Sequence, residues 1–328
     1  MPKRLDLLIT LIAVVLTAFI TLNFQNKGDN SDEYYQRAFQ NNVKIFSPAI
    51  PDSMDFCGER VPLEIYHVFE RMDREMLVNV YWQSNILLLI KRANRFFPVI
   101  EPILEEQGLP DDFKYLALAE SGFTLAVSPA GAAGFWQFLK GTGQQYGLEI
   151  NNEVDERYHL EKATVAAAQY LKANYNRFNN SWTLAAAAYN TGENNIRRHI
   201  ENQQTMDYYS MHLPEETSRY LFRILAFKTI FEDPIAYGII LREKDLYPPI
   251  PVRTVVVDTT ISNLFAFARQ QGTTYQQLKA LNPWLRSNHL PNKSRRTYKI
   301  SIPLNTSLLR ENMFSFQDDE NILQEFEN

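Results

Sequence analysis

Cysteine is almost absent from this 328-residue chain. Cys57 stands alone, which excludes an intrachain disulfide, a thiolate zinc cluster and a paired-thiol redox centre. Flanked by Phe56 and Gly58, it reads as a small buried hydrophobe rather than a nucleophile. An excess of basic residues is also missing. A net charge of −5 and a pI near 5.7 argue against a nucleic-acid partner, which calls for a positive surface. There is no Gly-x-Ser-x-Gly elbow, no phosphate-cradling loop and no Gly-x-Gly-x-x-Gly fingerprint. The histidines, His67, His159, His199, His212 and His289, show no i, i+4 pairing of the kind that holds zinc. Neither a metal nor an organic cofactor is expected.

What remains is an ordinary globular composition, 45% hydrophobic and 22% charged, so the chain as a whole is not disordered. Aromatics reach 13%, with 17 tyrosines. Tyr and Trp suit a carbohydrate groove, because ring faces pack on sugar C–H surfaces while polar tips reach hydroxyls, although most single aromatics serve a core. The first residues stand apart. Lys3 and Arg4 precede an uncharged stretch over residues 7–26, almost wholly apolar through residue 22. A helix of that length spans roughly 30 Å, the thickness of a hydrocarbon core. Basic residues ahead of it put the N-terminus in the cytoplasm and everything after Lys27 outside it. Asn23-Phe24-Gln25-Asn26 offers no small-x-small cleavage site, which favours an uncleaved anchor over a signal peptide removed to release a periplasmic protein.

Helical periodicity dominates from about Arg60 to Lys244. Leu63, Tyr66 and Glu70 open one helix, and Ile86-Leu87-Leu88-Leu89-Ile90 lies in another, too short an apolar run to cross a bilayer. Gly108-Leu109-Pro110-Asp111-Asp112 starts a helix over 113–121 that Gly122 ends. Further helices are predicted over 161–178, 182–189 and 215–231. Ala185 to Ala188 in the second of these indicate close helix packing. Beyond Tyr247 the pattern changes. Pro248, Pro249 and Pro251 make a stiff linker, and a strand over 254–257, helices over 264–269 and 276–281 and a strand over 298–302 form a β-α-α-β unit. With none of the candidate catalytic residues in it, this unit is expected to be separable from the chemistry.

Glu120 is the sharpest single feature. Phe113, Leu116, Ala117 and Glu120 stand at i, i+3, i+4 and i+7, so the carboxyl shares the apolar face of its helix. Desolvation there, and the negative end of the helix dipole, both raise its pKa. A carboxyl that stays protonated near neutrality is what a glycosidase uses to protonate a leaving oxygen.

Three segments carry a resemblance. Ala119-Glu120-Ser121-Gly122, then Ser128-Pro129-Ala130-Gly131-Ala132-Ala133-Gly134-Phe135-Trp136-Gln137-Phe138, then Ala188-Tyr189-Asn190-Thr191-Gly192 resemble, in order and spacing, the motifs of the soluble lytic transglycosylase and goose-type lysozyme superfamily. Gly58-Glu59-Arg60-Val61-Pro62-Leu63 and Asp155-Glu156-Arg157-Tyr158-His159 narrow it to the membrane-bound lytic murein transglycosylase D family. The resemblance implies a mainly α-helical, lysozyme-like catalytic domain with one catalytic acid, Glu120, and no carboxylate nucleophile. The 2-acetamido group of N-acetylmuramic acid assists departure of the leaving sugar, and the C6 hydroxyl then closes a 1,6-anhydro ring. Substrate contacts implied by the motifs are Ser128 near the acetamido group, Gln137, Tyr189 and Asn190. Glu216 and Tyr220, in Glu216-Thr217-Ser218-Arg219-Tyr220, resemble a groove-lining segment. Gly134-Phe135-Trp136-Gln137 departs from the superfamily's Gly-Leu-Met-Gln, which leaves the role of Trp136 open.

The C-terminal unit resembles a LysM domain, through Val257-Asp258-Thr259, Asn282-Pro283 and Tyr298-Lys299-Ile300-Ser301-Ile302-Pro303, with Val257 where a turn glycine is usual. A LysM domain implies binding to N-acetylglucosamine-containing glycan. The expected organisation is therefore a membrane segment over 1–26, a tether over 27–55, a catalytic domain over 56–247, a LysM-like domain over 248–306 and an acidic tail over 307–328. The implied partners are peptidoglycan glycan strands and, through the N-terminal helix, the inner membrane, with the catalytic domain in the periplasm and no protein partner indicated. Two other readings stand beside it: a hydrolase that uses the same acid but admits water, and a glycan-binding scaffold without turnover.

Overall fold

The computed structural model describes residues 46–304, together with Gln36, Arg37 and Phe39. The expected membrane segment, most of the tether and the acidic tail lie outside the described residues. Among the described residues no helix is long and apolar enough to cross a membrane.

The helical region opens on a two-residue hairpin, β1 (Asp55–Phe56) with β2 (Glu59–Arg60), and continues in helices. α1 (Tyr66–Tyr81) buries Val68, Met72, Met76 and Val80, a stripe at three- and four-residue spacing. α2 (Gln83–Glu106) is longer than the apolar pentad suggested and runs through Pro98 and Pro102. Those prolines are four apart, so the two missing N–H donors fall on one face and the rest of the ladder is intact. α3 (Phe113–Ser121) ends at Gly122, whose φ of 54° is the left-handed cap anticipated from sequence. α4 (Lys140–Gln145) and α7 (Glu193–Gln203) are additional, while α5 (Leu160–Arg177), α6 (Trp182–Thr191) and α8 (Glu215–Glu232) match the expected segments within a few residues.

α8 is the organising element. It packs on α1, α3 and α6, and buries residues on nearly every side, from Thr217 to Ile230. Ala185, Ala186, Ala187 and Ala188 of α6 are all buried, and their small side chains let α5 and α8 both approach that helix. The start of α6 is fixed from a distance. The Glu59 carboxylate accepts from the backbone N–H groups of Trp182 and Thr183 (the latter at 3.0 Å) and from the Ser181 hydroxyl at 3.2 Å. An anion on free N–H groups at a helix N-terminus satisfies donors that have no intrahelical partner.

The C-terminal unit has the expected order: β3 (Val252–Val257), α9 (Leu264–Gln270), α10 (Tyr275–Leu281) and β4 (Tyr298–Pro303). The strands are antiparallel, with Val252 opposite Pro303 and Val257 opposite Tyr298. Its relation to the helical region differs from a bead on a linker. The linker lies against α2, where Tyr247 N–H donates to Lys91 O at 3.2 Å and Arg95 Nε to Pro248 O at 3.0 Å. The hydrophobic core of the unit also takes in Ala133, Val154 and Tyr158 from the helical region, packed with Leu264, Leu278, Trp284, Leu285 and Ile300. One apolar cluster thus crosses the expected boundary.

Because Glu59 serves several donors at the head of α6, Glu59→Ala is expected to lower stability by about 1–2 kcal/mol. Urea unfolding at pH 7 measures this; an unshifted midpoint with an unchanged slope would show that water replaces the carboxylate at no cost.

Candidate active site

Glu120 sits on the last turn of α3, with Phe113, Leu116 and Ala117 fully buried on the same face. Glu120 as a whole residue is half-buried: protein crowds it, but part of its surface opens to solvent. Packing of α8 against α3 brings the Tyr220 hydroxyl to donate a short hydrogen bond to Glu120 Oε1. Among the described residues Oε2 takes no hydrogen bond. The pKa of Glu120 is pushed up to about 7, chiefly because burial strips the anion of water. The Tyr220 bond and the positive charge of Arg223 oppose the rise, and the negative charge of Glu216 adds to it. The outcome is a carboxyl poised to release its proton near neutral pH.

Burial raises the pKa of Tyr220 and Tyr189 well above the ordinary phenol value, and the nearby Glu120 charge adds to both shifts. Each therefore remains a hydrogen-bond donor under all ordinary conditions. Tyr189 donates to Trp136 O at 2.7 Å, and its ring meets Tyr170 and Phe138 at centroid distances of 5.3 and 5.9 Å. Asn190 follows it on α6, with Oδ1 accepting from Thr217 Oγ1 of α8 at 3.0 Å. Glu216 is exposed at the start of α8. Tyr220, by contrast, is buried and bonded to the acid, so it positions Glu120 rather than forming an open groove wall.

Ser128 and Gln137 stand at the two ends of the loop between α3 and α4. Ser128 Oγ accepts from Ala132 N–H at 3.0 Å, which leaves the hydroxyl proton available to donate. Gln137 Nε2 donates to Ala126 O at 3.0 Å and Gly134 O at 2.9 Å, and its own backbone has φ of 49°. A left-handed non-glycine residue costs about 1 kcal/mol and persists only where its surroundings over-determine it. Gly134, φ 80°, is indispensable to that loop: a Cβ there would lie 1.8 Å from Arg157 O. Trp136 is fully buried, with Nε1 donating to Thr164 Oγ1 at 2.9 Å, so it is a core residue beneath the loop. Cys57 is partly buried with its thiol pKa raised by burial, as suits an inert side chain.

Sequence reasoning missed three charged residues. Glu75 is buried on α1, with Oε1 accepting from Arg219 Nε at 2.7 Å and Oε2 lying 4.0 Å from Arg223 Nε. Arg223 in turn acts electrostatically on Glu120. The signal that singles out Glu120 was present for Glu75 too, since it falls between Met72 and Met76 on an apolar helix face. Arg157 braces the loop, donating from Nη1 to Gly131 O at 3.0 Å and Phe138 O at 3.1 Å.

The chain is similar to several known proteins. Residues 98–211 match the transglycosylase SLT domain family, and residues 253–306 match the soluble lytic transglycosylase C-terminal LysM-like domain. The membrane-bound lytic murein transglycosylase D of Escherichia coli K12 is 31% identical over 159 residues, which is 47% of this chain and 35% of that protein. A putative tributyltin chloride resistance protein of Alteromonas sp. strain M-1 is 30% identical over 127 residues, 38% of this chain and 59% of that one. The chain thus spans about a third of the length of the first relative and somewhat over half of the second. The 70 kDa soluble lytic transglycosylase of Escherichia coli superposes with a TM-score of 0.38 at 18% identity, covering 50% of this chain and 30% of that one.

A carboxyl raised from 4.5 to about 7 on folding makes stability pH-dependent. Between those values the folded protein holds a proton that the unfolded chain has released, so Glu120 lowers stability as pH rises through the window. Glu120→Gln keeps the shape and removes the charge. The variant should gain about 2–3 kcal/mol relative to the unaltered protein between pH 4 and pH 8. Thermal unfolding across that range tests it, and a difference that is constant with pH would show that Glu120 ionises freely.

Proposed function

From a chain that carries a transglycosylase SLT domain and a soluble lytic transglycosylase C-terminal LysM-like domain, we infer a peptidoglycan lytic transglycosylase that cuts the β-1,4 bond between N-acetylmuramic acid and N-acetylglucosamine. The observation that supports this most is the half-buried Glu120, its carboxyl pKa pushed up to about 7 by burial, held through one oxygen by Tyr220 and unbonded at the other. Oε2 is the atom that donates to the glycosidic oxygen, and as the bond breaks Glu120 becomes a carboxylate. The muramic acetamido group assists from within the substrate, with the Ser128 hydroxyl as its hydrogen-bond donor. Glu120 then takes the proton of the C6 hydroxyl as that oxygen attacks the anomeric carbon, which closes the 1,6-anhydro ring and restores the acid. Proton and electron pairs balance without water entering.

In this reading Gln137, Tyr189, Asn190 and Glu216 line the glycan groove, and Tyr220 orients the acid. The LysM-like domain supplies a second glycan contact. The relative's printed name, membrane-bound lytic murein transglycosylase D, accords with a place in the cell envelope. We place the enzyme on the periplasmic side of the inner membrane, anchored through residues 7–22, in remodelling or turnover of the wall.

Two outcomes check the reaction. Peptidoglycan digested by the protein should yield fragments ending in 1,6-anhydromuramic acid by mass spectrometry, and Glu120→Gln should lose at least 10²–10⁴-fold in kcat while remaining folded. Reducing ends in place of anhydro ends would make the protein a hydrolase, and absence of any turnover would make it a binding scaffold. The kcat–pH profile, with chemistry limiting, should fall on the alkaline side with an apparent pKa of about 7, because the proton that is lost is the one on Glu120. A profile flat from pH 6 to pH 9 would contradict the acid's assignment.

A further inference from the structure

The segment 153–159 faces two ways. On one side it joins the C-terminal unit as a strand would. Asp155 N–H donates to Trp284 O at 2.9 Å, Arg286 N–H donates to Glu153 O at 2.7 Å, and Val154 lies opposite Leu285 in an antiparallel bridge. Side chains reinforce the pairing. His159 and Tyr298 both stack with Trp284, with ring centroids at 5.5 and 5.7 Å, and the Arg286 guanidinium lies 4.3 Å from the centre of the Tyr158 ring. Nearby, Glu149 Oε2 accepts from Arg296 Nη1 at 2.8 Å and from the Tyr298 hydroxyl at 2.9 Å.

On the other side the same segment holds the loop between α3 and α4. Asp155 grips the Arg157 guanidinium through both carboxylate oxygens, at 2.9 Å from Nε and 2.7 Å from Nη2. A planar guanidinium clamped in this way has its remaining donors aimed in fixed directions. Nη1 reaches Gly131 O and Phe138 O, one carbonyl within the loop and one at its end. Gly134 packs against the Arg157 carbonyl so closely that no side chain fits there, and Ala133 is buried in the core of the C-terminal unit. Ser128 and Gln137 ride on this loop.

We propose that the C-terminal unit is a positioning element of the active site: Trp284 to Arg286 hold the 153–159 segment, and Arg157 transmits that hold to the loop that carries Ser128 and Gln137. The proposal rests on the reading of Ser128 and Gln137 as substrate contacts. It adds that their geometry is completed from outside the helical domain. A module that served only to tether the enzyme to glycan would raise local concentration and leave the loop alone. This one shares a core with the loop.

The test uses the full chain and three variants, Trp284→Ala, Arg157→Ala and Arg157→Lys. Hydrogen exchange is read at Ser128, Ala132 and Ala133, whose amides bond within the loop. Trp284→Ala and Arg157→Ala should each speed exchange there at least tenfold while amides of α5 and α6 keep their protection. On soluble glycan, kcat/KM should fall about tenfold or more in both, with the alkaline limb of the pH profile unmoved because the surroundings of Glu120 are untouched. The double variant should be no worse than the worse single one, because the two residues act in series. Arg157→Lys, which keeps the charge but not the fork, should recover little. The proposal is overturned if Trp284→Ala loosens amides of the C-terminal unit and leaves the loop amides as slow as before. It is equally overturned if the two losses multiply. Exchange needs no substrate, so a protein without turnover would end the transglycosylase reading while the brace is still decided by the loop amides.

Discussion

Glu120 is partly open to solvent yet desolvated enough for its carboxyl pKa to be pushed up, and the hydrogen bond from Tyr220 fixes the side chain in that setting. Tyr220 fixes one oxygen without supplying a positive charge, so the acid is oriented but its pKa stays near 7. A cation in that place would have lowered the pKa by favouring the anion. Arg223 is the cation within electrostatic reach, and it lies beside the buried carboxylate of Glu75, 4.0 Å away. Glu75 and its arginines tie α1 to α8, and Arg223 among them acts on the field at Glu120. Removing either partner of such a buried pair leaves an uncompensated charge, a costly outcome.

That arrangement depends on α8 touching three other helices at once. Each supplies one part: α3 the acid, α6 Tyr189 and Asn190, α1 the Glu75 carboxylate. Close approach is possible because the middle of α6 is alanine, and the angle of α6 is held by Glu59 on its N-terminal N–H groups. A hairpin residue more than a hundred positions upstream therefore bears on where Tyr189 points. The loop with Ser128 and Gln137 rests on α5 and α6 through Trp136, whose indole donates to Thr164 and whose carbonyl accepts from Tyr189. Its strained Gln137 backbone and its close-packed Gly134 are stabilised by Arg157 and by burial of Ala133 beneath Trp284 and its neighbours.

Much of this was legible in the residues. The i, i+3, i+4, i+7 spacing around Glu120 identified a carboxyl on an apolar face, and three motifs in order brought Ser128, Gln137, Tyr189 and Asn190 into one hypothesis. Gly122 bounded the helix that carries Glu120, because glycine acts through local backbone geometry that needs no tertiary partner. Pro98 and Pro102 show where that reasoning runs out. Local rules end a helix at such residues, but packing of α2 on α5 and α3 carries it through both.

By itself, then, the sequence determined most of the helices, the apolar face that carries Glu120, and the β-α-α-β order of the C-terminal unit, all of them encoded in short-range periodicity and residue chemistry. Tertiary structure alone decided which donor meets Glu120, that Tyr220 is buried behind it, and that Arg223, paired with Glu75, acts on its field. It also decided that Val154 and Tyr158 are buried against Trp284 and Leu285 from beyond the linker with Pro248, Pro249 and Pro251. The physical reason is common to these cases. Hydrogen-bond partners, desolvation and shared cores depend on distances between residues far apart in sequence, and periodicity carries no information about those distances until the helices have packed.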